Sequence, residues 1–582
     1  MTRRDGPGAE TVESQAAKSE RTPLLITTTS IPADSDYESY PSSSSAAVVS
    51  GGSNDPDGSP VDVEVDVDVD VDVDVAAAAI DAERARLRTR VTILSFSIIF
   101  LLGTVMGLAM PPLTAMMEAL ICRAMHPEVD APPPPDYDPR TGQWAAWDPA
   151  VLHDEPICKS ADVQGYLAML RGWVGTLDSM ASLLTIVPFG VLSDRLGRRP
   201  VIVIASTGLT INLAFVCVVL LAANSIPIWA ILMSSACLLI GGGAPTVQAM
   251  LFTFLADVVP LAERSTVFFQ MGAVFLCSQM TSGPLASVLM ARNLWLSIGS
   301  GLALLTVANI AVLFYPETLQ LRKQAGDDRP AKRSRADSSG STGASGDLDD
   351  RPFSVLALWQ RARDSVPEVR DFLVHNKGVV ILLLPAIFDY MGGFVVQDLL
   401  LQYAAKRYDW SWSKATMLLS IRSASSLATL VVLLPAASWF CLHRLAMAGV
   451  AKDLWLARIS VACQASGCLV IGLASSGHML LPALVWVALG SGADSLVRSL
   501  LNALVEQHHV GILNTLIAFL EMVGMMVISP LMAKCLSVGV HLGGAWVGLP
   551  FFVAAAFYCI TATVLYAFRL SRRLSSSQDP LC

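Results

Sequence analysis

Six ionisable side chains stand inside runs of sequence that are otherwise almost free of charge: Asp178, Asp389, Arg422, Asp494, Arg498 and Glu521. Desolvation disfavours a charged group, so each of these must be paired, neutralised or put to use. A carboxyl in such a place can take up a proton on one side and release it on the other, and a guanidinium can hold an anion. Glu521 has no basic residue near it in its own run, which makes it a candidate proton carrier. The structural alternative is a protonated acid bonded to a neighbouring helix. Asp178 is a second candidate of this kind. Asp389 and Arg422 occupy consecutive runs and are candidates either for an ion pair with each other or for direct contact with substrate or proton. Asp494 and Arg498 are four residues apart, on one face of a helix, and are expected to pair locally. Gln248, Gln270, Gln279 and Gln397 add uncharged polar groups that would line a cavity or bond helices together.

The runs that carry these residues set the fold. Only 15% of the 582 residues are charged and 53% are hydrophobic, with a mean hydropathy of +0.54. A soluble domain is usually about a quarter charged. Apolar blocks fall near 91–118, 168–192, 200–222, 227–255, 265–290, 294–315, 378–402, 413–440, 455–475, 480–504, 511–537 and 546–568, twelve in all. Each is long enough to cross about 30 Å of hydrocarbon as a helix. None shows the period-two alternation of a barrel strand, so the spans are helices, whose backbone satisfies itself in lipid. By a rise of about 1.5 Å per residue, Asp389, Arg422 and Glu521 all lie near the midplane.

The expected organisation is a disordered acidic tail over 1–88, a six-helix bundle over 89–319, a polar linker over 320–376, a second six-helix bundle over 377–569, and a short tail over 570–582. Within the first tail, 61–75 repeat acid and valine and read as a solvated linker. Glu20 to Leu25 match an acidic dileucine sorting signal, and 356–373 an interfacial amphipathic helix. No cleavable signal peptide precedes the first block. Lys and Arg crowd one set of loops, including Arg84 to Arg90, Arg195 to Arg199, the linker and Arg569 to Arg573; Lys406, Arg407 and Lys414, after the seventh block, are the exception. Cytoplasmic loops carry that excess, so both termini are expected in the cytoplasm, at the plasma membrane or a vacuolar or endosomal one. The eleven cysteines show no metal-ligand spacing. Cys122 and Cys158 flank the long loop after the first block and would form a disulfide if that loop faces an oxidising side.

Between the second and third blocks stands Gly190-Val191-Leu192-Ser193-Asp194-Arg195-Leu196-Gly197-Arg198-Arg199-Pro200. This resembles the loop signature of the major facilitator superfamily, with serine for alanine at one position. Pro316 to Leu319 (PETL), Gln402 to Ala415 and Gly548 to Phe551 (GLPF) resemble a fungal branch distantly similar to proton-coupled folate carriers and tetracycline exporters. The resemblance covers roughly 90–570. It implies a latch that closes the two halves on one side: Gly190 for close approach of the second and eleventh helices, Asp194 at the start of the eleventh near Gly511, Gly197 for the turn, Arg195 and Arg198 for carboxylates, and Asp257 as the partner of Arg198. The matching loop of the second half, 441–458, shows no second copy.

These readings point to a secondary transporter that exposes a midplane site to each side in turn and is coupled to protons. No GxxxxGK[ST] is present, which removes a nucleotide-driven pump, and no cofactor is expected. The expected partners are a small-molecule substrate, protons and the lipid bilayer, with no nucleic acid, and the chain is expected to work as a monomer. A transport-inactive sensor signalling through the acidic tail is the alternative. An intramembrane enzyme would call for paired His and Asp or metal-ligand clusters within spans, and His508-His509 lack such partners. Gly241 to Gly243 and Gly283-Pro284 are expected to serve close packing or hinging.

Overall fold

The computed structural model describes residues 69–126, 156–260, 263–317, 376–505 and 510–568, together with 367, 370, 371, 373 and 374. Among the described residues twelve helical segments are long and apolar enough to cross a membrane. They are α1 (Ala82–Met125), α2 (Ala161–Ser193), α3 (Arg198–Leu221), α4 (Ile228–Val258), α5 (Thr266–Arg292) and α6 (Leu294–Leu313), then α7 (Gly378–Asp398), α8 (Trp412–His443), α9 (Gly449–Leu473), α10 (Gly477–Ala503), α11 (Leu513–Leu542) and α12 (Gly544–Ala567). Leu184, Leu221, Ile459 and Leu473 are each more than half exposed, so the outward faces are as apolar as the inward ones. A helix apolar all round belongs in lipid.

The helix that contains α1 begins at Val69, inside the stretch expected to be a tail. Ala76 to Leu87 are rich in alanine, arginine and leucine, strong helix formers that extend the span backward into the acidic repeat. The dileucine motif and most of 356–373 lie outside the described residues.

Two spans are interrupted. In α4, Gly242 and Gly243 have φ of +77° and +73°, a region that side chains resist, and the helix restarts beyond them. In α10, residues 489–492 form a turn between helices Gly477–Ala488 and Ala493–Ala503. Broken spans free backbone groups at membrane depth and are tolerated where they line a cavity.

The first six spans and the second six form two halves that meet mainly through α2 against α11 and α5 against α8. The tightest described approaches lie toward one end. A Cβ on Gly172 of α2 would stand 2.5 Å from the Ala533 Cβ of α11, and one on Gly283 of α5 would stand 2.0 Å from Ser420 Oγ of α8. Both glycines are in the parts of their helices nearest the disulfide that joins Cys122 to Cys158, where the described chain leaves α1 and enters α2. At the other end of α2, a Cβ on Gly190 would meet nothing within 4 Å. Among the described residues the close approach of the second and eleventh helices expected at Gly190 is found at Gly172, toward the disulfide end.

Candidate functional site

Between the halves lies a cavity of about 540 Å³, a size suited to a drug-like molecule. Met106, Met110 and Thr114 of α1, Arg171 of α2 and Gln279 of α5 wall it from the first half. The second half gives more, including Asp389, Tyr390, Phe394 and Gln397 of α7, Arg422 of α8, Gln464 of α9, Asp494 of α10 and Tyr558 of α12. The small residues Gly392 and Gly393 let α7 lie under the Tyr558 ring: a Cβ on Gly392 would stand 2.6 Å from its Cζ.

The charges in and behind this wall are arranged unequally. Arg171 Nη2 donates to Asp398 Oδ1 at 2.6 Å, which links α2 to α7 across the halves. Arg498 Nε lies 3.1 Å from Asp494 Oδ1, and its Nη2 donates to the Glu521 carboxylate of α11. Glu521 is therefore one arm of a carboxylate–guanidinium–carboxylate set rather than an isolated acid. Its counter-charge comes from α10, which its own span could not reveal. Asp389 is 4% exposed, and its Oδ1 has no hydrogen-bond partner. Arg422 donates from Nη2 to Gln397 Oε1 at 3.3 Å, and its Nε has no partner. The expected Asp389–Arg422 pair does not form. Gln397 is two turns along α7 from Asp389, about 12 Å by helix rise, and Arg422 turns toward it. Gln464 Oε1 and Ser491 Oγ, at the break in α10, are two more buried cavity-wall atoms without partners.

The disulfide end of the cavity is shut by polar contacts between halves. Glu118 of α1 is fully buried, and its carboxylate accepts from Gln164 Nε2 of α2 and from Trp412 Nε1 of α8. Gln402, on the short helix Leu400–Arg407, donates to the Gln164 carbonyl at 3.0 Å. Lys159 Nζ donates to the Trp410 carbonyl at 3.2 Å, Lys406 Nζ donates to the Lys159 carbonyl, and Ser413 Oγ donates to the Ser287 carbonyl at 2.8 Å.

At the opposite end the α2–α3 loop is braced by contacts inside the first half. Arg198 Nε lies 2.6 Å from Asp257 Oδ2, both side chains buried. The backbone N–H groups of Arg198 and Arg199 donate to the Glu317 carboxylate at 3.1 and 3.2 Å, an anion at the positive end of α3. Gly197 has φ of +102°, and a Cβ there would stand 2.6 Å from Glu317 Oε2.

Sequence comparison decides what this arrangement is. The model of the Major Facilitator Superfamily matches residues 165–529. The chain belongs to the major facilitator superfamily. It is 31% identical to the MFS efflux pump atnC of Emericella nidulans, over 72% of this chain and 78% of that protein. It is 29% identical to the efflux pump ustT of Aspergillus flavus, over 77% of this chain and 82% of that protein. Among solved structures a D-xylose–proton symporter aligns with a TM-score of 0.51 at 14% identity, over 81% of this chain and 97% of that one, which supports the fold. A major facilitator protein is a multi-pass membrane transporter of small molecules and not an enzyme.

The superfamily assignment explains the two-halved layout, and the remaining predicted residues can be placed on it. Gln279 and Gln397 line the cavity. Gln248 and Gln270 do not: both are exposed, because the rotation of α4 and α5 turns them away from it. Asp178 is outside the lining and accepts from Ser235 Oγ of α4 at 2.5 Å, a contact inside the first half. Arg195 is exposed, and the expected contact of Asp194 near Gly511 involves side chains outside the described residues. The sequence reading missed Glu118, Arg171 and Asp398. All three sit within or beside apolar blocks, and the rule applied to Asp389, that a charge at depth needs a reason, would have found them.

Proposed function

We propose that this chain exports a small organic molecule by alternating access, driven by proton entry. The observation that carries the reading is Asp389: a deeply buried carboxyl with an unpartnered oxygen, in the wall of a cavity that is closed toward one side. Such a group is suited to bind a proton from one side and release it to the other. The similarity to two fungal efflux pumps supports the outward direction.

The disulfide end is read as facing the exterior or an organelle lumen, since a disulfide persists on an oxidising side and the arginine-rich loops lie at the other end. Both termini are then cytoplasmic and the cavity is open to the cytoplasm, ready to load. The contacts around Glu118 and Arg171 hold the outer end shut. The loop from Gly190 to Arg199, braced by Arg198–Asp257, is the element that closes the inner end in the alternate state. Glu521, held by Arg498, supports the wall rather than carrying the proton.

The test is accumulation of labelled candidate solutes in cells lacking and overproducing the protein, at two external pH values. Overproducers should retain less of a true substrate, and the difference should widen at the lower external pH. Equal retention at both pH values in the two strains would count against proton-driven export.

A further inference from the structure

We infer that the cavity selects organic anions, with Arg422 as the group that reads the substrate's oxyanion; this rests on the cavity being the transport site. A guanidinium near the midplane of a membrane is costly unless something answers its charge. The neighbouring acids do not. Asp398 is engaged by Arg171 at 2.6 Å, Asp494 by Arg498 at 3.1 Å, and Asp389 sits two turns back along α7. Among the described residues Arg422 makes no ion pair. Its one hydrogen bond is a long one, 3.3 Å, to the neutral oxygen of Gln397, and its Nε is buried with no partner. The fork of a guanidinium matches a carboxylate, sulfate or phosphate in a bidentate way, and Nε with one Nη is one side of that fork.

The rest of the wall says what such an anion is attached to. Met106, Met110 and Met525 face the cavity together with Phe394, Tyr390 and Tyr558. Thioethers adapt to irregular apolar shapes and pack well against ring edges. The occupant they fit is a flat, largely apolar body with its acid group directed to α8. Gln397 would hand Arg422 over to that acid, its amide oxygen being the weaker acceptor. A cationic solute would meet Arg422 with like charge, which disfavours it in this pocket.

The experiment titrates purified full-length protein in detergent with naphthylacetate, its methyl ester and naphthylmethylamine, read by isothermal calorimetry. The acid should bind, with the ester and the amine weaker by roughly 10- to 150-fold, the range for losing one charge-assisted hydrogen bond. Arg422→Gln should erase that discrimination, while Arg422→Lys, which keeps the charge, should retain part of it. The wild-type comparison needs no variant, so a variant that fails to fold leaves the test standing. Ester or amine binding as tightly as the acid, acid preference persisting in Arg422→Gln, or no saturable binding of the acid at millimolar concentration overturns the inference. If the acid binds but reconstituted protein does not move it, the transport reading falls and the anion site stands. If solutes are moved with no preference for acids, the reverse holds.

Discussion

Replacing Glu118 with alanine should open the disulfide end of the cavity. Its carboxylate is fully buried and accepts from Gln164 Nε2 within its own half and from Trp412 Nε1 of the other. Of these two bonds the Trp412 one ties the halves, and a hydrogen bond to a charged group contributes about 1.5–3 kcal/mol. Losing it shifts the balance between closed and open outer ends by roughly 10- to 150-fold toward open. Gln164 keeps its bond to the Cys158 carbonyl but is left with one unmet N–H beside Gln402, which adds in the same direction. Glu118→Gln keeps an acceptor for the indole and should shift the balance less. The assay is the rate at which Met110→Cys, a cavity-wall position, reacts with an impermeant maleimide added on the outer side, in a background without other reactive cysteines. Glu118→Ala should raise that rate by the factor above. A folded Glu118→Ala protein whose labelling rate equals that of the parent would refute the idea that this cluster holds the outer end shut.

Asp389→Asn should abolish proton-driven flux while leaving substrate exchange across the membrane, measured by counterflow in vesicles. Glu521→Gln should keep proton coupling and lower the melting temperature, since Arg498 retains Asp494; loss of coupling with unchanged melting would reverse the roles given to the two acids. Arg198→Ala leaves Asp257 buried without its guanidinium and should destabilise the first half by about 3–5 kcal/mol, read as a lower melting temperature. Asp257→Asn, which removes the charge, should cost less when added to Arg198→Ala than it costs by itself. Cys122→Ser should lower stability by about 4 kcal/mol from loop closure over a separation of 36 residues, checked by thermal melting with and without reductant.

Much of this architecture is legible in the residues. Twelve apolar blocks of spanning length follow from bilayer thickness, and twelve such spans are found among the described residues. Arg198 and Asp257 are more than fifty positions apart, and their proximity followed from the resemblance rather than from spacing. Asp494 and Arg498 were legible because four residues make one helical face. What the sequence conceals is rotation and cross-helix partnership. Gln248 and Gln279 are equally polar and both stand within spans, yet of the two Gln279 lines the cavity. Glu521 looked isolated because its guanidinium is on another helix, and Asp389 and Arg422 looked like partners because depth is readable and azimuth is not. Gly190 carries the signature of close packing, but a Cβ there would meet nothing within 4 Å among the described residues.

The most direct measurement follows lumenal pH in sealed vesicles that contain the purified chain, after an aromatic acid is supplied on the cytoplasmic face. The account predicts that solute movement and proton movement start together, scale together, and both stop in Asp389→Asn. Solute movement at full rate with no proton movement, in wild type and Asp389→Asn alike, would contradict it.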